Sequence, residues 1–319
     1  MEVVPNIFKV ELPLPSKIAH INCYLLRNEN GWSIIDTGLN YQLSTRTWED
    51  TFADLGINYG DIEGIYITHL HSCHYGASGW LQELTGAPVY MSRTEMANVE
   101  QTWKKGRTNM PVVGELFKEN GMPPGLIPEV LDDMSRVCNV IQPHPALYPI
   151  SGGDRVELAG RSFRIIYTPG HSDGHIIFFN EDEGILISGD HLLPITYSSI
   201  CLWPTSHPNP LDLYLSSLET VGKLPVKLVL PAHWPVFTDC AGRVAELSVQ
   251  YHNRLARVEE LAGVGTNAYQ ICVRLYGAEP PLNQICFVLT ETLALLAYLE
   301  SRSRVSSRLE GGIVTYRKV

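Results

Sequence analysis

The 319-residue chain lacks several features, and each absence narrows the possibilities. It has no CxxC pair. Its seven cysteines, Cys23, Cys73, Cys138, Cys201, Cys240, Cys272 and Cys286, are odd in number and scattered. That argues against a disulfide framework and for a reducing cytoplasm. No apolar run reads as approaching the ~20 residues that span a bilayer. The first residues, Met1-Glu2-Val3-Val4-Pro5-Asn6, lack the basic head and apolar core of a signal peptide. The expectation is a cytoplasmic protein without membrane attachment. Positive charge is also scarce. The net charge is −10 and the pI about 5.5, which argues against a nucleic-acid partner.

What is present is ordinary in bulk: 45% hydrophobic and 18% charged residues, the balance of a globular protein. The length exceeds what one core usually holds, so a large domain plus a smaller one is expected. One stretch is not ordinary. Thr68-His69-Leu70-His71-Ser72-Cys73-His74 follows the apolar run Gly64-Ile65-Tyr66-Ile67. It packs three histidines and a cysteine into one strand-to-helix turn. Imidazole and thiolate are the groups that bind zinc and similar metals.

The pattern of that turn recurs along the chain. Hairpin strands 21–26 and 31–35 end at Asp36-Thr37-Gly38; Asp36 is either a group supporting a ligand or a turn residue. Periodicity predicts helices over 41–57, with Leu43, Trp48, Phe52 and Leu55 on the apolar face, and over 76–86. Residues 92–147 read as a helical insertion that could wall a pocket, and its methionines suit either a bulky apolar substrate or simple packing. Later strands end in Thr168-Pro169-Gly170-His171, Ser188-Gly189-Asp190-His191 and Leu230-Pro231-Ala232-His233. Residues 241–319 read as a separate module: helices over 241–262, 266–276 and 282–301, then a hairpin, in a winged-helix-like order. Its part from 251 on carries eight Lys/Arg against six Asp/Glu, so packing or a homodimer contact is favoured over nucleic acid.

The motifs Thr-His-Leu-His-Ser-Cys-His, Thr-Pro-Gly-His-Ser, Ser-Gly-Asp-His and Leu-Pro-Ala-His resemble, in order, those of the metallo-β-lactamase fold superfamily. The branch resembled is glyoxalase II-like and thioesterase-like. The resemblance covers 1–240 and implies an α/β fold, a four-layered αββα sandwich with a helical lid at 92–147. By position, it implies that His69, His71 and His171 hold one metal. Cys73, His74 and His233 would hold a second, and Asp190 would bridge the two. The implied metal is one or two Zn²⁺ ions, with iron as the alternative. The implied chemistry is hydrolysis by metal-activated water acting on a small acyl-type substrate such as a thioester or lactone. Asp36, His175 and His191 would stand behind the ligands. Tyr75, Tyr197 and Trp203 would either line the substrate pocket or pack.

The family's usual residue at position 73 is aspartate. Cys73 can be a thiolate ligand, can mark a weakened or lost second site, or can be a free reactive thiol. Sulfur is a poor acceptor for a hydrogen bond from water, so slower or altered hydrolysis is expected. Two other functions stay open: a lyase, dehalogenase or iron-dependent sulfur-oxidising enzyme on the same scaffold, and a non-catalytic sensor with a degenerate site.

Overall fold

The computed structural model describes residues 1–15, 19–277 and 280–319. The apolar strands form two sheets laid face to face. The first contains β1 (Glu2–Val4), β2 (Ile7–Pro13), β3 (His20–Arg27), β4 (Trp32–Ile35), β5 (Ile62–Tyr66), β6 (Val89–Ser92) and β7 (Leu147–Ile150), in chain order across the sheet. Pairing is antiparallel through β4 and parallel from β4 to β7. The second contains β8 (Arg155–Leu158), β9 (Arg161–Tyr167), β10 (Ile176–Asn180), β11 (Ile185–Gly189) and β12 (Leu228–Pro231). Only its β11–β12 pair is parallel.

Side-chain alternation explains the layering. Ile165, Ile176 and Phe178 face the first sheet and pack with Tyr24 and Ile35. Their neighbours Ile166, Ile177 and Phe179 face outward. Such strands need cover on both sides, which is why they read as unbroken apolar runs. Helices α1 (Gln42–Leu55), α2 (Ser72–Tyr75) and α3 (Ser78–Thr85) follow on the first sheet's side. Trp48, Phe52 and Leu81 cluster there with Ile34 and Ile65. The expected helix 76–86 is α3, and the single turn α2 comes just before it. Leu43 also departs from expectation: it is 58% exposed, off the face that buries Trp48 and Phe52.

The insertion holds α4 (Arg93–Val99), a π-helical turn (Glu100–Lys104), α5 (Gly106–Glu119) and α6 (Ile127–Val137). Met122 is buried, and Met96 and Met134 pack against apolar clusters, so these methionines serve packing. Next come α7 (Pro210–Gly222), α8 (Cys240–Leu261), β13 (Thr266–Asn267), α9 (Ala268–Tyr276), α10 (Leu282–Ser301), β14 (Val305–Glu310) and β15 (Ile313–Lys318). The last three strands form a small sheet in the order β13-β15-β14.

The C-terminal elements share a core with the second sheet. Leu247, Tyr251, Leu289 and Leu296 belong to the same apolar cluster as Phe117, Ile177 and Tyr214. Each fully buried leucine contributes about 1.5–3 kcal/mol of transfer free energy, so these helices are fastened to the sandwich. One sequence expectation needs correcting here. Leu282–Ser301 is long and apolar enough to cross a bilayer by length and composition, but 61% of its apolar window is buried inside the fold. Its apolarity serves the core.

Candidate metal centre

The strand ends converge at one edge of the sandwich. His69 and His71 follow β5, Cys73 and His74 lie on α2, His171 follows β9, Asp190 follows β11 and His233 follows β12. Donor atoms of His69, His71, His171 and Asp190 lie within 4.8 Å of one another, and so do those of Cys73, His74 and His233. His69 Nε2 is 3.0 Å from His71 Nδ1 and 3.2 Å from His171 Nε2. Asp190 Oδ2 is 3.3 Å from His171 Nε2 and 3.5 Å from His74 Nε2, and Oδ1 is 3.5 Å from His233 Nε2. Asp190 thus stands between the two groups.

Oxygen acceptors behind the rings fix which nitrogen faces inward. A carboxylate or carbonyl can only accept. His74 Nδ1 donates to Asp36 Oδ2 at 2.8 Å, and His233 Nδ1 donates to the His20 carbonyl at 3.0 Å. His171 Nδ1 donates to the Ser199 carbonyl at 2.8 Å. Thr68 Oγ1 gives its proton to Asp36 at 2.9 Å, which leaves it to accept from His69 Nδ1, also at 2.9 Å. The Nε2 atoms therefore point at one another and at Asp190. Buried lone pairs converging in this way are costly without a cation between them. Among the described residues, His74 Nε2 and Asp190 Oδ1 are buried without a hydrogen-bond partner. This donor set fits a divalent metal of the zinc type.

The electrostatics agree. Burial, reinforced by the histidines around them, holds His69 and His71 well below the ordinary imidazole value, so they are neutral. Burial works against charge on Asp190, but His233 and His74 outweigh it and keep the carboxylate ionised. Burial also opposes the His74 imidazolium, but the charges of Asp36, Cys73 and Asp190 raise it well above the ordinary value, so without a metal a proton on Nε2 supplies the positive charge that these anions favour. Cys73 is subject to the same competition. Burial raises its thiol, yet the His74 charge and hydrogen bonds from His233 and His74 bring it down to about 7. At neutral pH a large share of Cys73 is thiolate.

The structure sorts the remaining residues singled out in the sequence. Asp36, left open between a supporting group and a turn, contacts His74 and Thr68 directly and adopts φ +60°. His175 Nε2 accepts from the Asp190 amide at 3.3 Å. Gly189 is required beside it, because a Cβ there would lie 2.8 Å from His175 Nε2. His191 is buried against Tyr214 and belongs to neither donor group; among the described residues its two ring nitrogens have no hydrogen-bond partner. Tyr75 is fully buried with its hydroxyl 3.1 Å from His144 Nδ1. Tyr197 lies under the Arg254 guanidinium, and Trp203 packs edge-on to Phe287.

Glu95 was missed by the sequence reading. Fully buried, it accepts from the Leu70 amide (2.8 Å) between His69 and His71, and from the Gly174 amide (2.5 Å) between His171 and His175. Ser92 completes the clamp by donating to the Gly174 carbonyl at 2.7 Å. Trp103, in the π-helical turn, donates to the Leu70 carbonyl at 2.7 Å. The signal was present as Ser-x-x-Glu, the capping-box pattern. Ser92 does cap α4, but the glutamate is spent on the histidine loops.

A two-sheet αββα sandwich with this cluster at one edge defines a class, and the family model agrees. The Metallo-beta-lactamase superfamily model matches residues 18–233, more than half of the chain, which therefore belongs to that superfamily and is a metallo-hydrolase of it. Among individual proteins, it is similar to a probable metallo-hydrolase, YqjP, of Bacillus subtilis, 22% identical and covering 98% of each chain. The crystal structure of a metallo-beta-lactamase family protein from Thermus thermophilus superposes with a TM-score of 0.90 at 27% identity, covering all of both chains. An atrochrysone carboxyl ACP thioesterase of Aspergillus fumigatus is 29% identical over 43% of this chain and 31% of its own. The superfamily implies divalent metal ions, typically zinc.

Proposed function

We propose that the protein hydrolyses a small acyl compound, a thioester or lactone, with one metal ion held by His69, His71, His171 and Asp190 and a second by Cys73, His74, His233 and Asp190. The observation that carries this reading is the convergence of seven donors from four strand ends into two groups that share Asp190. Divalent cations bound there supply Lewis acidity for the acyl carbonyl and acidify water. The chain's own contribution is orientation. Asp36, Thr68, His20 and Ser199 hold the rings in the tautomer that presents Nε2. The similarity to an enzyme named as a thioesterase favours the thioester substrate over the lactone.

Cys73 is read as a thiolate ligand. Its low thiol value and its place beside His74 and His233 support this. The sulfur replaces the carboxylate that would accept a hydrogen bond from the attacking water, so turnover is slower than an aspartate at 73 would give. Residues 1–240 form the catalytic unit in this proposal, with 92–147 as its wall and 241–319 as a supporting module. A panel of acyl-CoA, acyl-glutathione and lactone substrates tests the function. The expected result is turnover of a thioester that chelation abolishes and Zn²⁺ restores. Absence of metal-dependent turnover across the panel overturns it.

A further inference from the structure

We infer that the C-terminal helices set the orientation of His171 through the loop between β11 and α7, and that Tyr251 is a positioning residue for it. The inference rests on the metal-centre reading for its functional meaning, though not for its geometry.

His171 has no support from its own strand. Its Nδ1 meets the Ser199 carbonyl at 2.8 Å and Ser198 Oγ at 2.9 Å, and both residues belong to a stretch without regular structure. A carbonyl accepts only, so this contact fixes the Nδ1–H tautomer and leaves the Nε2 lone pair facing His69 and Asp190. The tautomer is only as secure as the loop that imposes it.

That loop is held from the C-terminal side. In α8, Arg243 is buried and donates Nε to the Leu193 carbonyl and Nη2 to the Thr196 carbonyl, each at 2.7 Å. One turn after Leu247, the Tyr251 hydroxyl donates to the Ser198 carbonyl. Arg254 donates to Tyr197 Oη at 2.5 Å and lies 4.3 Å from the centre of its ring. Glu291 of α10 holds Arg254 by an ion pair of 2.9 Å. The Leu202 amide donates to the Thr290 carbonyl of α10 at 2.9 Å. Three carbonyls in one irregular segment, those of residues 193, 196 and 198, are thus captured by a single helix. A helix that only packed would need none of these directed bonds. Tyr251 is the closest of these contacts to His171: its phenol reaches the carbonyl of Ser198, whose own hydroxyl touches the imidazole.

The test compares Tyr251→Phe, which keeps the ring and removes the hydroxyl, with Tyr316→Phe, a buried tyrosine of the same module that does not touch the loop. Glu291→Gln, which loosens Arg254, is the second variant should Tyr251→Phe not fold. The first readout is the ¹⁵N spectrum of His171 in metal-free protein, assigned with His171→Asn. Wild type and Tyr316→Phe are expected to show the Nδ1–H tautomer, and Tyr251→Phe a mixture. The second is Zn²⁺ affinity by competition with a chromophoric chelator, expected to fall about 10–100-fold in Tyr251→Phe alone. An unchanged tautomer in Tyr251→Phe, or an equal change in Tyr316→Phe, overturns the inference. Failure of the wild type to bind Zn²⁺ would instead overturn the metal-centre reading, and the tautomer comparison would still decide the role of Tyr251.

Discussion

The two donor groups are built alike in their supports and differently in their ligands. Each has two imidazoles backed by oxygen: Thr68 and Ser199 behind His69 and His171, Asp36 and His20 behind His74 and His233; His71 instead turns Nδ1 towards His69. Both share Asp190. The first group offers three nitrogens and a carboxylate. The second offers two nitrogens and the same carboxylate, with the sulfur of Cys73 in place of the third nitrogen. Scaffold and ligand identity therefore vary independently: the fold presets where a donor stands, and a single side chain sets how soft the site is.

Substitutions in the two groups should separate them. Removing a ligand of the first group by His69→Ala should lower kcat/KM by about a thousandfold, the several kcal/mol expected of a metal's charge in the transition state. Metal content measured on the same sample should drop by one ion. A smaller loss than that of Cys73→Ala would make the second group the one on which turnover depends more. Next, Asp36→Asn should weaken the second group's metal affinity by about 10–100-fold, as loss of a partner behind a ligating histidine does. Calorimetric Zn²⁺ titration would check this, with a smaller fall in the first group's affinity, because Asp36 reaches His69 only through Thr68.

Glu95 supplies a pH effect confined to the loops of the first group. Burial raises its carboxyl to about 7, against the bonds from Leu70 and Gly174 that favour the anion. The folded state therefore holds this proton more tightly than the unfolded chain. The contribution is fully present below the unfolded value of 4.5 and is lost as pH rises towards about 7. Across that window the stability of metal-free protein should fall by on the order of 3 kcal/mol from this group. Denaturant midpoints for wild type and Glu95→Gln should differ in slope there, and parallel curves would remove Glu95 as the source. The smallest effect is expected of Cys73→Asp. Restoring an oxygen acceptor should raise turnover by roughly tenfold, less than the ~100-fold or more that a full general base supplies, with the metal count unchanged.

The sequence was most legible where chemistry is local. An apolar run followed by small residues and a histidine or aspartate marks a strand end, and those ends proved to meet. Asp36 could not be settled from sequence, because its partner His74 lies 38 positions away and only folding brings them to 2.8 Å. Glu95 and Ser199 were invisible for the same reason. One looked like the first acid of a helix, and the other acts through a backbone carbonyl that any residue would supply. The apolar stretch 282–301 was underestimated as a span and the tail read as separate. In fact Leu289 and Leu296 complete a core begun by Ile177, a relation that periodicity within one helix cannot show.

Everything proposed for the second group turns on Cys73 binding metal as a thiolate. X-ray absorption at the metal edge, compared between wild type and Cys73→Ser, tests it most directly. The expected result is a sulfur scatterer at about 2.3 Å in the wild type that is absent from the variant. A shell of nitrogen and oxygen alone, the same in both proteins with two ions bound, would contradict it.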